Sequence, residues 1–180
     1  MLESVRRTPD QLARLKSLIH ALSYLLPVQP SGEYPYARPP YPAIVHEIYL
    51  YHLYSGSFPS ALILLLFIYI NCDVFAYPQP HHPVRVIRLF TVAKLLKHIA
   101  SLDATSLTEN LGTGCREAIQ NVDWISAIQS VLILVAELAP LSHGKGSRFM
   151  RTVEGELREV EEVQRYVFLR ALLFLFCMSS

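Results

Sequence analysis

Residues Pro83 to Ile99 read PVRVIRLFTVAKLLKHI, and this segment organises the predicted fold. Proline is typical of the first position of a helix, because its missing N–H is one that the first turn leaves unused. The apolar residues that follow surround the helix axis instead of forming one stripe, a pattern typical of a buried helix. The sequence therefore predicts a central helix with other helices packed around it.

Two segments before this helix predict a helical hairpin. The first covers Ala43–Tyr54 and is ended by Gly56, and the second begins at Pro59 and continues through an apolar block to about Ala76. Glycine commonly ends a helix and proline commonly opens one. Further upstream, Thr8–Leu26 has the apolar spacing of an amphipathic helix.

The segments after the central helix predict a second hairpin. Asp123 is suited to cap a helix that runs to about Ala139, where Pro140 is expected to stop it. A turn follows, and Ser147 is suited to cap a last helix that reaches at least Val163. Residues 101–120 are the least clear part, with a polar loop predicted around Thr105–Asn110 and a candidate short helix from Arg116.

No segment shows sustained strand alternation, so the predicted fold is all-α, with stacked antiparallel helical hairpins of tetratricopeptide-like type. Gly56–Leu62 and Val122–Ile128 each place an aromatic residue three positions before an alanine. About two periods of 34 residues, the tetratricopeptide length, separate them. Chance similarity between helices is the alternative. The predicted organisation is an N-terminal helix (1–26), a Pro-rich linker (27–42), a helical-repeat domain (43–163) and an apolar C-terminal helix or tail (164–180).

Composition narrows the class of protein. The 180 residues carry 16 Lys and Arg against 15 Asp and Glu, a net charge of +1 that argues against nucleic acid as a partner. Cys72, Cys115 and Cys177 are far apart and form no Cys-x-x-Cys pair, so neither a disulfide framework nor a zinc site is predicted. The N-terminus lacks the apolar stretch of a secretory signal. We therefore expect an intracellular protein, cytoplasmic or nuclear.

Three strongly apolar runs raise the question of a membrane. They cover Ala61–Ile70, Val131–Leu141 and Tyr166–Met178. A bilayer span needs about 20 predominantly apolar residues, and runs of about 10 to 14 are more typical of buried helices. The sequence therefore argues against membrane insertion. The C-terminal run leaves open an association with a membrane or the pairing of two copies of the chain.

The sequence also offers weak candidates for chemistry, each with a simpler structural interpretation. The two glycine pairs lack the preceding strand or the Gly-Lys-Ser/Thr ending that a nucleotide-binding loop needs. One cysteine has no neighbouring histidine that could activate it as a nucleophile. The histidines lack the spacing of metal ligands. These candidates are Gly112–Gly114, Gly144–Ser147, Cys115, His46, His52, His81 and His82. We predict no catalytic residue, no metal and no cofactor.

Three stretches, in order, resemble the C-terminal helical domain of SET-and-MYND lysine methyltransferases. In that domain a His-Pro-Val-Arg turn starts a helix containing Gly-Lys-Leu, and here His82–Arg85 is followed by Ala93, Lys94 and Leu95. Trp124–Ala139 is similar to its aromatic-x-x-Ala helix. The third stretch is similar to its His-Gly turn and acidic last helix, with His143, Gly144, Glu159, Glu161 and Glu162. The resemblance covers roughly residues 42–163.

The resemblance implies an accessory role. The SET core, the catalytic tyrosine and the cysteine-rich zinc modules of such enzymes cannot be placed in this chain. We therefore predict a non-catalytic helical-repeat interaction or accessory domain that binds a protein or peptide. A C-terminal fragment of a SET-domain methyltransferase is the first alternative, and a membrane-associated helical protein is the second.

The candidate partner contacts are three basic residues of the central helix. They are Arg85, Arg88 and Lys94. The competing interpretation assigns the same residues to surface or interhelical salt bridges.

Overall fold

The structure is a computed structural model that describes residues 39–102 and 123–178, with side chains as far as Val167. It also describes six earlier positions, all helical: Asp10, Ala13, Arg14, Lys16, Ser17 and His20. The helices are α1 (Tyr41–Tyr54), α2 (Phe58–Ile68), α3 (Pro83–Ala100), α4 (Trp124–His143) and α5 (Arg148–Met178). Helix α2 continues through a π-helical segment (Tyr69–Asp73) and one further turn (Val74–Ala76).

Regular structure in the described part of the chain is entirely helical, which confirms the all-α prediction. The chain divides into two compact units, Met1–Arg88 and Leu89–Ser180, with the boundary inside α3. Unit 1 and unit 2 below refer to these ranges. Most predictions for Thr8–Leu26, and all those for residues 103–122, including Cys115 and Gly112–Gly114, lie outside the described residues.

In unit 1, α1 and α2 pack against each other as the predicted hairpin. Gly56, with φ of 75°, allows the tight turn between them, a backbone conformation that glycine adopts readily. Helix α1 begins two residues earlier than predicted, because Pro42 fits the first turn and Ile44 N–H donates to Pro40 O. The buried side chains of the hairpin are Val45, Ile48, Tyr49, Ala61, Leu62, Leu65 and Ile68.

In unit 2, α4 and α5 pack against each other. Their core joins the second half of α3 through Ala93, Ile128, Leu132 and Val160. Helix α3 is buried along most of its circumference, but Ile87 is 46% exposed, so the prediction that it is covered on all sides is too broad.

The predicted cap of α4 is confirmed, and its predicted end is wrong. Ser126 N–H donates to Asp123 Oδ1 over 3.2 Å, but the helix continues through Pro140 to His143. Pro140 lacks the N–H that would bond to Ala136 O, but the helix continues for one more turn, in which Ser142 Oγ donates to Ala139 O. Gly144, with φ of 83°, ends the helix instead.

Helix α5 begins where predicted. The Oγ atom of Ser147 accepts a hydrogen bond of 3.1 Å from Met150 N–H, the contact expected of a helix cap. The helix then runs without interruption for 31 residues to Met178. The acidic segment and the apolar C-terminal run therefore belong to one helix.

Candidate functional site

The corner before α3 is built by the His-Pro-Val-Arg sequence itself. The ring of His82 stacks on Tyr77, with centroids 4.3 Å apart, and its Nδ1 accepts a hydrogen bond from Val84 N–H over 3.3 Å. Pro83 occupies the first helical position, where no N–H is needed. The histidine therefore caps the helix, so the His-Pro-Val-Arg sequence has a structural role as the start of α3.

Arg85 lies inside unit 1, with only 8% of its surface exposed. Its Nη1 donates to the carbonyls of Tyr77 and Pro78, and its Nη2 to the Tyr69 hydroxyl, each over 3.4 Å. The guanidinium also lies 5.1 Å from the centroid of the Tyr69 ring, within cation–π range. The two carbonyls directly follow the helical run that ends at Ala76, where the helix dipole is negative. Arg85 thus stabilises the end of that run.

Asp73 and Arg88 form a buried ion pair beside this corner. Asp73 is 2% exposed, and its Oδ2 lies 2.8 Å from Arg88 Nε. Neither atom satisfies the angular requirement of a hydrogen bond, so the contact is ionic rather than an aligned hydrogen bond. A carboxylate inside a protein requires a nearby opposite charge, and Arg88 supplies it.

The π-helical segment Tyr69–Asp73 carries this carboxylate. A π segment holds one residue more per turn than an α-helix would and leaves carbonyls without their usual donors. Asn71 Nδ2 donates to Phe67 O over 3.1 Å and satisfies one carbonyl there. Cys72 and Asp73 at the end of the segment are both buried. Because π segments are frequent at functional sites, we treat Asp73, Arg85 and Arg88 as the candidate site and name them the polar cluster.

The surroundings of the polar cluster shift the pKa values of its neighbours. Burial raises the pKa of Asp73, and the charges of Arg88 and Arg85 act in the opposite direction. Burial and then Arg88 lower the pKa of His46, against a smaller opposite effect of Glu47, so its ring is neutral at neutral pH.

Cys72 and His46 show how little chemistry these neighbours can supply at neutral pH. Burial and the charge of Asp73 raise the pKa of the Cys72 thiol to about 11, so it is protonated and a weak nucleophile. The Nδ1 atom of His46 is buried and has no hydrogen-bond partner among the described residues. The neighbourhood therefore holds a neutral imidazole and a neutral thiol, and the polar cluster holds an ion pair and a helix-capping arginine.

Lys94, the third predicted contact, lies in unit 2 and belongs to a different group of charges. Its Nζ forms an ion pair with Glu156 of α5, and Lys97 bridges Glu156 and Glu159 at 2.9 and 2.7 Å. Burial works to raise the pKa of Glu156, but hydrogen bonds from Lys94 and Lys97 outweigh it and lower that pKa. These pairs join α3 to α5 within unit 2.

The structure thus brings Arg85 and Arg88 together and keeps Lys94 apart from them. Two of the three are engaged inside unit 1, whereas the side chain of Lys94 remains 49% exposed. Their role as partner contacts stays a prediction. Sequence reasoning missed Asp73, although the i, i+3 spacing of Arg85 and Arg88 places both on one helix face and calls for a counter-charge.

No group of three potential metal-ligating side chains occurs in the described part of the chain. The large apolar side chains on the outside are the other notable feature. Ile63, Ile70 and Val74 form an exposed stripe on the α2 run, at 52%, 59% and 38% exposure. On α4, Ile133, Leu134 and Leu141 are also exposed. Where such side chains form a contiguous patch, that patch commonly marks a contact with a protein or a membrane.

Two helical runs in the described residues are long and apolar enough to cross a membrane. They are Phe58–Ala76, with 19 residues, and Trp124–His143, with 20 residues. In the most apolar 18-residue stretch of each run, 28% and 22% respectively is buried. Both are longer than the apolar runs picked out in the sequence, because residues flanking each run continue the helix. Core helices of soluble proteins meet the same criteria.

No protein-family model, no curated protein and no solved structure matches this chain.

Proposed function

We propose that this chain is a non-catalytic helical interaction domain that binds a protein partner through the exposed apolar stripe of the α2 run. The proposal includes a tetratricopeptide-like arrangement of hairpins and an accessory role beside a SET-type methyltransferase, either as a separate chain or as part of one. The resemblance to SET-and-MYND enzymes supports the accessory role, and the hairpins α1–α2 and α4–α5 support the repeat type.

One observation carries the proposal. The charged groups of the polar cluster are turned inward and hold helices, whereas large apolar side chains are turned outward. Arg85 and Asp73 are nearly fully buried, but Ile63 and Ile70 are more than half exposed. Perturbed groups that line a cleft are typical of catalysis. In unit 1, Asp73 instead pairs with Arg88, Arg85 caps the end of a helix, and the outer surface has the character of a binding site.

The apolar stripe suits a partner that presents an amphipathic helix. Ile63, Ile70 and Val74 follow one another at about two turns and one turn, the spacing at which one helix packs along another. A partner helix with apolar residues at matching intervals would cover them. The stripe also carries no charge, so we expect binding to depend weakly on salt.

The test compares partners of the wild-type chain with those of an Ile63→Asp and Ile70→Asp double variant. Both positions are exposed, so circular dichroism should show an unchanged fold. We expect proteins enriched with the wild type, identified by quantitative mass spectrometry, to be lost with the double variant. They should be retained by Val163→Asp, a change at an equally exposed valine of α5. Identical partner sets for all three chains would refute the stripe as the binding surface.

A calorimetric titration with S-adenosylmethionine tests the non-catalytic half of the proposal. We expect no heat of binding to the full chain. Saturable binding would overturn that half and leave the interaction surface to be judged by the variants above.

Membrane association is the second candidate function, favoured by the two long apolar helices Phe58–Ala76 and Trp124–His143. It differs from the first in a simple observable. A membrane-bound chain would sediment with vesicles of neutral lipid, and Ile63→Asp with Ile70→Asp would release it. The exposed carboxylate of Glu137 in the middle of α4 weighs against insertion of that helix, because an intramembrane charge is costly.

A further inference from the structure

Helix α4 has two opposite faces. Ile128, Leu132, Val135 and Ala139 are buried inside unit 2. At 100° per residue, the positions on the opposite side form one band about 100° wide. That band consists of exposed residues: Ser126, Ser130, Ile133, Leu134, Glu137 and Leu141. We name it the outer band of α4.

The outer band has an order along the helix. Its N-terminal end carries two small hydroxyl residues, Ser126 and Ser130, and its centre carries Ile133 and Leu134 side by side. Its C-terminal end carries a carboxylate, Glu137, and a large apolar residue, Leu141, which is 68% exposed. None of the ion pairs in the described part of the chain includes Glu137.

The outer band of one copy of α4 is complementary to the outer band of a second copy that runs in the opposite direction. If two copies of α4 are laid antiparallel about an axis between residues 133 and 134, the Ile133 and Leu134 side chains of both copies meet at the centre. Leu141 then faces Ser126, so a large side chain meets a small one. Glu137 faces Ser130, whose hydroxyl can turn from its own helix, where it donates to Ser126 O, and donate to the carboxylate. Both pairings occur twice because the arrangement has two-fold symmetry.

From this complementarity we propose that the outer band of α4 binds the outer band of a second copy of the chain in an antiparallel, two-fold symmetric dimer. The inference is independent of the partner proposed for the α2 run, because it uses a different helix and a different surface. It places self-association on α4, whereas the sequence suggested the C-terminal helix.

The size of the surface sets the expected strength. A 20-residue helix is about 30 Å long, so one helix pair buries an area at the low end of specific protein interfaces. The central isoleucine and leucine supply the apolar contact, and the serine–glutamate pairs fix the register. We therefore expect a reversible dimer whose population increases with protein concentration.

Sedimentation velocity of the full chain over a wide concentration range tests the dimer. We expect the weight-average mass to rise from that of one chain to twice that value. Leu141→Ser should weaken dimerisation about tenfold or more, because it removes an apolar contact from each half of the interface. Ser126→Leu should also weaken it, because two leucines then meet where one fits.

The decisive variant combines the two changes. Ser126→Leu with Leu141→Ser restores a large residue opposite a small one in the antiparallel register, so dimerisation should return to within a few-fold of the wild type. Val163→Ser, an exposed position of α5 outside the outer band, is the matched control and should leave the mass curve unchanged. Circular dichroism confirms that each variant is folded.

Two results would overturn the proposal. One is a wild-type chain with the mass of a single copy at every concentration. The other is a dimer that the double variant does not restore, which would assign self-association to another surface or another register.

Discussion

At the scale of single residues, Asp73 and Arg88 explain how unit 1 accommodates charge. The carboxylate is almost completely buried, and the guanidinium that neutralises it comes from the next helix along the chain. Arg14 and Glu47 form a second ion pair of nearly the same length, 2.9 Å, but both side chains are well exposed. The two pairs therefore differ mainly in their contact with water, which determines what each contributes to stability.

Removing Arg88 should expose that difference. We expect Arg88→Ala to lower the free energy of unfolding by about 3 to 5 kcal/mol, because it leaves a buried carboxylate without its directly paired counter-charge. Arg14→Ala, which breaks the exposed pair, should lower it by less than about 1 kcal/mol. Urea denaturation of both variants and the wild type gives the comparison. Equal losses would contradict the assignment of Asp73 and Arg88 as a buried pair.

The titration of Asp73 should contribute to the pH dependence of the free energy of unfolding. Burial raises its pKa in the folded chain above the unfolded value, despite Arg88. The stability linked to this group is then complete below the unfolded pKa and is lost as pH rises through the folded pKa. We therefore expect acidification from neutral pH to stabilise the wild type relative to Asp73→Asn, as measured by denaturant unfolding at each pH.

Glu156 provides a control of opposite sign for that measurement. Burial alone would raise its pKa, but the two lysines that bind it lower the value overall. Its contribution is therefore present above the unfolded pKa and is lost as pH falls through the folded pKa. Acidification should destabilise the wild type relative to Glu156→Gln. Slopes of the same sign for Asp73 and Glu156 would contradict these two assignments.

The thiol of Cys72 offers a further residue-scale prediction. Its pKa of about 11 and its burial should make it react very slowly with a thiol reagent such as DTNB at pH 8. The measurement uses a chain with Cys115→Ser and Cys177→Ser, so that one thiol is counted. We expect release of the chromophore to follow unfolding in urea. Rapid reaction in the absence of urea would show that Cys72 is accessible.

At the scale of elements, the π segment Tyr69–Asp73 sets the direction in which Asp73 points. An extra residue in one turn can be removed without rotating the helix beyond it, because the turn closes to an ordinary α-helical one. A residue removed from a regular α-helix instead rotates its neighbours by about 100°. The two kinds of deletion should therefore have different effects in the α2 run.

Deleting Ile70 should be tolerated better than deleting Leu64. Ile70 is exposed and lies in the π segment, so its loss keeps Asp73 beside Arg88. Deletion of Leu64 turns either Leu65 and Ile68 or Asp73 out of the core. Thermal unfolding followed by circular dichroism should give the Ile70 deletion a clearly higher midpoint. The reverse order would mean that the π segment is not the adjustable turn.

The sequence was most informative about where helices and turns begin. Capping residues and glycines correctly located the start of α4, the start of α5 and the turn at Gly56, because these signals act within a few residues. The end of α4 was predicted wrongly, because the loss of one N–H at Pro140 does not stop the helix, which continues to His143. The π segment could not be predicted, since it depends on packing of α2 against the rest of unit 1.

At the scale of the whole molecule, the sequence predicted the helical class but not which groups the buried arginines contact. Arg85 and Arg88 were identified as partner contacts or as salt-bridge residues, and nothing local distinguishes these two roles. The distinction depends on where Asp73, Tyr69 and the carbonyls of Tyr77 and Pro78 lie after folding. Non-local contacts of this kind leave no pattern within a window of sequence.

The exposed apolar side chains determine how the surface of the chain can bind other molecules. With a net charge of +1, the chain has little electrostatic attraction for distant partners. Its exposed apolar stripe on the α2 run and the outer band of α4 lie in unit 1 and unit 2 respectively. We therefore expect binding that is governed by shape and apolar contact.

Photo-crosslinking in cells tests the central claim, that the apolar stripe of the α2 run binds a protein. Benzoylphenylalanine replaces Ile70 in the full chain, and replaces the exposed Glu154 of α5 as a control. We predict a discrete protein adduct from position 70 that disappears when Ile63→Asp is added, with no such adduct from position 154. Adducts with lipid alone, or no adduct at position 70, would contradict the account.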